Sequence, residues 1–167
     1  MRKSLISNPS DSILQRGSIH HVQVQPLRSK EVQEELAASL GVVYYPDTYA
    51  FFTVNMNDEA TKILSVIGMC QFEFSPAGAV IRSIAVSPEF KEDEAVFIMV
   101  RTVMNFCYRA EIPTIAVAVS EDPNDLTSDL SFVRALGFRE KSDYVIDLKK
   151  FYRSPCHYNE NENETNA

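Results

Sequence analysis

The sequence predicts one α/β domain built on a mixed sheet of about six strands. A Ser-Pro-Ala-Gly turn at residues 75–78 joins two β-rich runs into an antiparallel hairpin. Residues 94–110 then place their apolar side chains on one side at helical spacing, and the short apolar run 114–119 follows Pro113. A strand, a helix and a second buried strand imply a right-handed crossover between parallel neighbours. The sheet should therefore contain both strand directions.

The other elements follow from hydrophobic period and helix-end signals. Period-two alternation or β-rich composition predicts further strands at residues 20–27, 49–54, 63–74, 79–86 and 144–148. Ser29 is suited to cap a helix over residues 30–40, which Gly41 ends. A last helix is predicted over residues 126–136, ended by Gly137. The predicted order is β-α-β-β-β-α-β-α-β.

Composition excludes several classes of protein. The 167 residues are 45% hydrophobic and 23% charged, which is typical of a globular domain, and no run approaches the roughly 20 apolar residues of a membrane span. A net charge of −7 would repel a phosphate backbone, so neither a membrane nor a nucleic acid is an expected partner. Three cysteines without Cys-x-x-Cys spacing predict buried, reduced thiols. A cytoplasmic protein is predicted because Ser7, Asn8 and Pro9 break the apolar run that a signal peptide would need after the basic residues at positions 2 and 3.

The two ends of the chain differ from its centre. Residues 1–19 are rich in Ser, Asn and Arg and are predicted to form an N-terminal arm, with the domain over residues 20–150. Residues 151–167 are predicted to be a C-terminal tail that is disordered at its end, because the closing Asn and Glu residues have no apolar surface to bury. Phe97 and Ile98 interrupt the polar stripe of the central helix, so we expect the arm or a partner chain to cover them.

Two motifs carry a resemblance to a known family. The segment IRSIAVSPEF at residues 81–90 and the segment FVRALGF at residues 132–138 resemble the GNAT family of N-acetyltransferases. The resemblance covers residues 20–150. It implies a mostly antiparallel sheet with helices on both faces, and transfer of an acyl group from acetyl-CoA or another acyl-CoA to a small amine.

The resemblance also implies where the cofactor binds. In that family the pantetheine arm pairs with exposed main chain where the central strand separates from its parallel neighbour, which here implies Ile84, Ala85 and Val86. Asn124 follows the next strand and is a further cofactor-binding candidate, because ligands gather at strand ends in open α/β sheets.

The pyrophosphate loop of the family falls on residues 91–96. Lys91 keeps a positive charge at the first position of this loop. Glu94 and Val96 stand where the family has small residues, and residues 92–94 bring three negative charges to a site for a polyanion. The sequence therefore predicts a weakened or lost cofactor site. The same acids also suit the first turn of a helix without any ligand.

Acyl transfer to an amine needs a base and often an acid. Glu73 lies between Phe72 and Phe74 on a strand and is the candidate base, and the alternative, which the pattern favours, is an ordinary solvent-facing strand residue. The family often places a Tyr acid where this chain has Val133. Tyr144 on the last strand is the candidate acid, and simple packing is its alternative.

Two further polar residues are candidates for substrate binding. Arg82 interrupts the apolar row of its strand and is suited to bind a carboxylate or to line a groove. Ser120 follows the buried strand 114–119. No metal site is predicted, since Cys156-His157 lacks a second pair of ligands. The alternative function is a non-catalytic binding or oligomerisation module, and the sequence leaves a homodimer open.

Overall fold

The computed structural model describes residues 22–55, 65–90, 94–140 and 143–153. Within these ranges the chain forms one seven-stranded sheet in the order β1-β2-β3-β4-β5-β7-β6. Its strands are β1 (Val22–Leu27), β2 (Tyr49–Asn55), β3 (Ser65–Ser75), β4 (Gly78–Val86), β5 (Thr114–Val117), β6 (Arg139–Glu140) and β7 (Tyr144–Asp147). Its α-helices are α1 (Lys30–Leu40), α2 (Glu94–Arg109), α3 (Leu130–Ala135) and α4 (Leu148–Arg153), and short 3₁₀ turns occur at Pro88–Phe90 and Leu126–Ser128.

The predicted mixed, mostly antiparallel sheet is confirmed. Among the described strands, β4 and β5 run parallel and every other neighbouring pair is antiparallel. The long helix α2 lies between these two strands in the chain and supplies the crossover that the sequence predicted.

Helices cover both faces of the sheet, as predicted. On one face α2 buries Met99, Val103 and neighbouring apolar residues in the larger core, together with Phe72 and Ile84 from the strands. On the opposite face α1 packs Ala37 into a smaller cluster of apolar residues. No helix in the described ranges is long and apolar enough to cross a membrane.

The predicted capping of α1 is also present. The Ser29 side-chain oxygen accepts a hydrogen bond from the Val32 backbone N–H at 3.3 Å. Gly41 follows the helix with φ of 74°, a left-handed conformation that glycine adopts without strain. The local sequence signals therefore fixed both ends of this helix.

The end of the chain differs from the prediction. The single helix predicted over residues 126–136 is wrong: a 3₁₀ turn precedes α3, and Asp129 separates them by accepting a hydrogen bond from the Phe132 N–H at 3.2 Å. The structure adds the two-residue strand β6 and the helix α4, which the periodicity did not indicate because both are short. Helix α4 continues past residue 150, where the domain was expected to end. Residues 1–19, predicted as an arm, lie outside the described residues.

Candidate functional site

Strands β4 and β5 pair over only part of their length. Their parallel register begins at Ala79 with Ile115 and ends at Ile81 with Val117. One more main-chain bond follows, from the Ala118 N–H to the Ile81 carbonyl at 2.9 Å. The rest of β4 continues to Val86 with β3 as its partner on the other side. A gap therefore opens beside the second half of β4.

A β-bulge at Arg82 sets the orientation of this half-strand. The register with β3 pairs Phe72 with Ile81 and Gln71 with Ser83, so Arg82 is the extra residue. Because one residue is inserted, Ile81 and Ile84 both enter the α2-side core although they lie three positions apart. The prediction that Arg82 interrupts a single apolar row is therefore wrong, because the bulge breaks the alternation at this residue.

The chain itself enters the gap. The Ile84 N–H donates a hydrogen bond to Asp125 Oδ1 at 3.1 Å. The same oxygen accepts hydrogen bonds from the Thr127 N–H at 3.0 Å and from Thr127 Oγ1 at 2.8 Å. Asp125 is 3% exposed and Thr127 is fully buried. A carboxylate buried in this way is stabilised by the three donors that face it.

Sequence reasoning missed Asp125. The signal for half of its role was present, because an Asp directly before a helical segment is typical of an N-cap. The carboxylate does cap the 3₁₀ turn Leu126–Ser128. Its bond to Ile84 joins residues 41 positions apart, and no local pattern indicates such a partner.

Solved structures with a similar fold include GNAT family acetyltransferases. A GNAT family acetyltransferase from Elizabethkingia anophelis with acetyl-CoA bound is similar at a TM-score of 0.50 and 13% identity, over 72% of this chain and 78% of that chain. A GNAT family acetyltransferase from Streptococcus pneumoniae has a TM-score of 0.51 and 12% identity, over 72% and 88%. A mutant AtaT toxin bound to the C-terminus of the antitoxin AtaR and to acetyl-CoA has a TM-score of 0.55 and 13% identity, over 81% and 99%. No protein-family model matches the sequence, and no curated protein does.

This chain has the GNAT fold. The likeness at 12–13% identity concerns the fold and does not extend to a substrate. The candidate residues lie at different distances from the gap between β4 and β5 in this fold.

The candidate cofactor-binding residues of β4 are buried. Ile84 and Ala85 are fully buried and Val86 is 3% exposed. Their side chains alternate between the two cores, with Ala85 in the α1-side cluster and the other two on the α2 side. Because these side chains are buried, a ligand would contact their main-chain groups. The N–H of Ile84 already donates to Asp125.

The loop after β5 holds two further candidates. The Asn124 N–H donates to Asp122 Oδ1 at 2.9 Å, and the Ser120 Oγ accepts from the Asp122 N–H at 3.0 Å. Asn124 is exposed and Ser120 is half-buried. Both residues lie on the segment that leads to Asp125, beside the mouth of the gap.

The start of α2 bears on the expected cofactor loop. Lys91 lies outside the described residues, as do the next two residues of that loop. Glu94 is exposed as the first residue of α2, whereas Val96 is 1% exposed and packs in the core. The Val96 side chain therefore points into the protein and leaves the solvent side of the helix start to Glu94.

The two candidate catalytic residues are far apart. Glu73 bonds to Arg82, with Oε1 and Nη2 2.6 Å apart, and these side chains are 40% and 38% exposed. Its strand neighbours point into the α2-side core, so Glu73 points to the opposite face.

Tyr144 belongs to that α2-side core and is 7% exposed. Its hydroxyl accepts a hydrogen bond from Arg134 at 3.3 Å and donates one to Glu140 at 3.4 Å. From β3 to β7 there are three strand spacings, roughly 14 Å. In this arrangement one small substrate does not contact both Glu73 and Tyr144.

Proposed function

We propose that this chain is a GNAT-fold N-acyltransferase relative in which the acyl-CoA site is weakened, so that acyl transfer to a small amine is slow or lost. The hydrogen bond from the Ile84 N–H to Asp125 carries this proposal. The Ile84 N–H, on the strand that would pair with a pantetheine amide, already donates to Asp125. An acyl-CoA must therefore displace this buried carboxylate before it can accept a hydrogen bond from the same N–H. The acetyl-CoA seen in similar structures supports the ligand class.

The proposed chemistry begins when an amine attacks the thioester carbonyl carbon. A base takes the amine proton, the C–S bond breaks, and the thiolate of CoA leaves with a proton from an acid. Glu73 is the candidate base and Tyr144 the candidate acid as alternatives, because one small substrate does not contact both, and Arg82 and Ser120 are candidate contacts to the acceptor. The proposed location is the cytoplasm, which the free, buried thiols of Cys70 and Cys107 support.

A second candidate is a non-catalytic binding or oligomerisation module. The observation that favours it is an open groove on α2, lined in part by Phe97 and Ile98. A homodimer would be one form of such a module.

Calorimetric titration with acetyl-CoA tests the first proposal. We expect no micromolar binding by the unmodified full chain. The variant Asp125→Ser should bind more tightly by roughly 5-fold, because Ser still caps the Thr127 N–H but is too short to reach Ile84, and one freed hydrogen bond is worth about 1 kcal/mol.

The matched control is Asp129→Ser, which changes an exposed cap outside the gap. It should leave acetyl-CoA binding unchanged. Micromolar binding by the unmodified chain would overturn the proposal of a weakened site. Glu94→Gly, which removes the exposed acid at the start of α2, separates the contribution of the loop from that of Asp125.

A further inference from the structure

The solvent side of α2 carries an open groove of about 720 Å³. Glu94 lies at its beginning, Phe97 and Ile98 follow one turn later, and Tyr152 of α4 contributes from the side. Thr102 lies one turn further along the helix. The groove therefore offers an acidic start followed by an apolar stretch.

Arg101, which lines the groove, already has contacts with two other side chains. The Arg101 guanidinium carbon lies 4.5 Å from the centre of the Phe151 ring, and Arg101 Nη1 is 3.3 Å from the Met104 sulfur. Burial lowers the pKa of Arg101, which indicates that its charge is partly removed from water. Glu94, in contrast, is exposed. A ligand with an apolar segment next to a positive charge would fit this distribution.

The described chain begins at the end of the sheet where the groove begins. Val22, the first residue of β1, pairs with Asn55. The register across β2 and β3 places the start of β1 at the same end of the sheet as Val86, the last residue of β4 before the chain continues to α2. Val22 also packs against the α2-side core. The first described residue therefore contacts the α2 side of the sheet, at the end from which β4 leads on to α2.

The composition of residues 1–21 is complementary to the groove. They contain Arg2, Lys3 and Arg16 against Asp11, a net charge of +2, so the other residues of the −7 chain carry −9. Ile13 and Leu14 form an apolar pair two to three positions before Arg16. At about 3.3–3.6 Å per extended residue, the six residues from Arg16 to Val22 span about 20 Å.

We propose that residues 1–21 dock in the α2 groove, with Ile13 and Leu14 on Phe97 and Ile98 and with Arg16 beside Glu94. The spacing is consistent, because Arg16 and Leu14 are about 7 Å apart in an extended chain and Glu94 and Ile98 are about 6 Å apart along a helix. Phe97 and Ile98 are half-buried, and the Phe97 ring lies 5.4 Å from the Phe132 ring of α3, so the docked arm covers the part of these two side chains that is still exposed. This docking is independent of acyl-CoA binding.

Thiol labelling at Thr102→Cys tests the docking. The native Cys70 and Cys107 are buried with a raised pKa, so they react slowly, and Cys156→Ser removes the third thiol. We expect the full chain to be labelled at least 5-fold more slowly than a chain lacking residues 1–19. Adding a peptide of residues 1–21 to the shortened chain should restore the protection, and a scrambled peptide should not.

Two variants of the full chain make the test specific. Ile13→Ser with Leu14→Ser should release Thr102→Cys to the rate of the shortened chain, whereas Leu5→Ser with Ile6→Ser is the matched control and should not. A reporter at Glu35→Cys, exposed on α1, should react equally in all forms. Equal rates with and without the arm would overturn the proposal. Protection that persists in the shortened chain and rises with protein concentration would overturn it in favour of a second copy.

Discussion

Asp125 accepts a hydrogen bond from the backbone N–H of Ile84, 41 residues earlier in the chain, at 3.1 Å. The bond ties the 3₁₀ turn that follows β5 to the half of β4 that has no β5 partner. Because Asp125 is 3% exposed, water cannot replace it at low cost. Asp125 therefore stabilises the chain across the gap, and it also occupies the Ile84 N–H that an acyl-CoA would use in the proposed function.

Removing this carboxylate should destabilise the protein strongly. Asp125→Ala leaves the N–H of Ile84 and both donors of Thr127 without an acceptor in a buried place. We expect a loss of about 2–4 kcal/mol in the free energy of unfolding, measured by urea titration. Asp129→Ala is the control, since it removes an exposed cap and should cost about 1 kcal/mol. Equal losses in the two variants would show that Asp125 is only a cap.

Gly68 is predicted to tolerate no side chain. A Cβ built at Gly68 would lie 2.5 Å from the Ala85 carbonyl oxygen, which is backbone and cannot turn away. We expect Gly68→Ala to lower the free energy of unfolding by about 1–3 kcal/mol, because β3 and β4 must separate locally. At Gly78 the nearest atom is the Thr114 side-chain oxygen at 3.0 Å. Gly78→Ala should therefore cost less in the same urea titration, and a reversed order would contradict the close approach of the two strands.

The ion pair of Glu73 with Arg82 should contribute little to stability. The two atoms are 2.6 Å apart, but both side chains are more than a third exposed, and exposed pairs are worth about 0.2–1 kcal/mol. A double-mutant cycle of Glu73→Gln and Arg82→Gln, followed by thermal or urea unfolding, should give a coupling energy in that range. A coupling above about 2 kcal/mol would mean that the pair is structural, and Glu73→Gln would then be a poor test of catalysis.

Stability should fall at alkaline pH because of a buried thiol. Burial raises the pKa of Cys107 from its ordinary value of 9.0 to about 11. Between these two values the unfolded thiol loses its proton while the folded one keeps it, so the unfolded state binds fewer protons and the free energy of unfolding decreases as pH rises. Burial acts in the same direction on Cys70 and Tyr152.

The control for the pH dependence is Cys107→Ala. Urea titrations from pH 8 to pH 11 should show a shallower decline in this variant than in the unmodified chain, because one titrating group is gone. Identical slopes would show that Cys107 does not keep its proton in the folded protein.

The sequence by itself determined the fold class and most of the local elements, although not the short ones near the end of the chain. The amphipathic pattern of α2, the caps of α1 and the turn between β3 and β4 depend on neighbouring residues, so each was predictable within a short window. Arg82 shows the limit of this reasoning. The bulge there depends on how β3 pairs with β4, and it placed Ile84 on a face that alternation alone did not indicate.

Only the tertiary structure decided how the candidate site is assembled. It put Glu73 and Tyr144 on opposite faces of the sheet, and it brought Asp125 to the main chain of Ile84. Sequence periodicity reports which side of its own element a residue occupies. The contact between two elements depends on strand order, on the point where β4 and β5 separate, and on the path of the chain between them. These three features are set by the packing of the whole domain. The Asp125 carboxylate shows why they matter, because a buried carboxylate is stable only where the fold supplies hydrogen-bond donors to it.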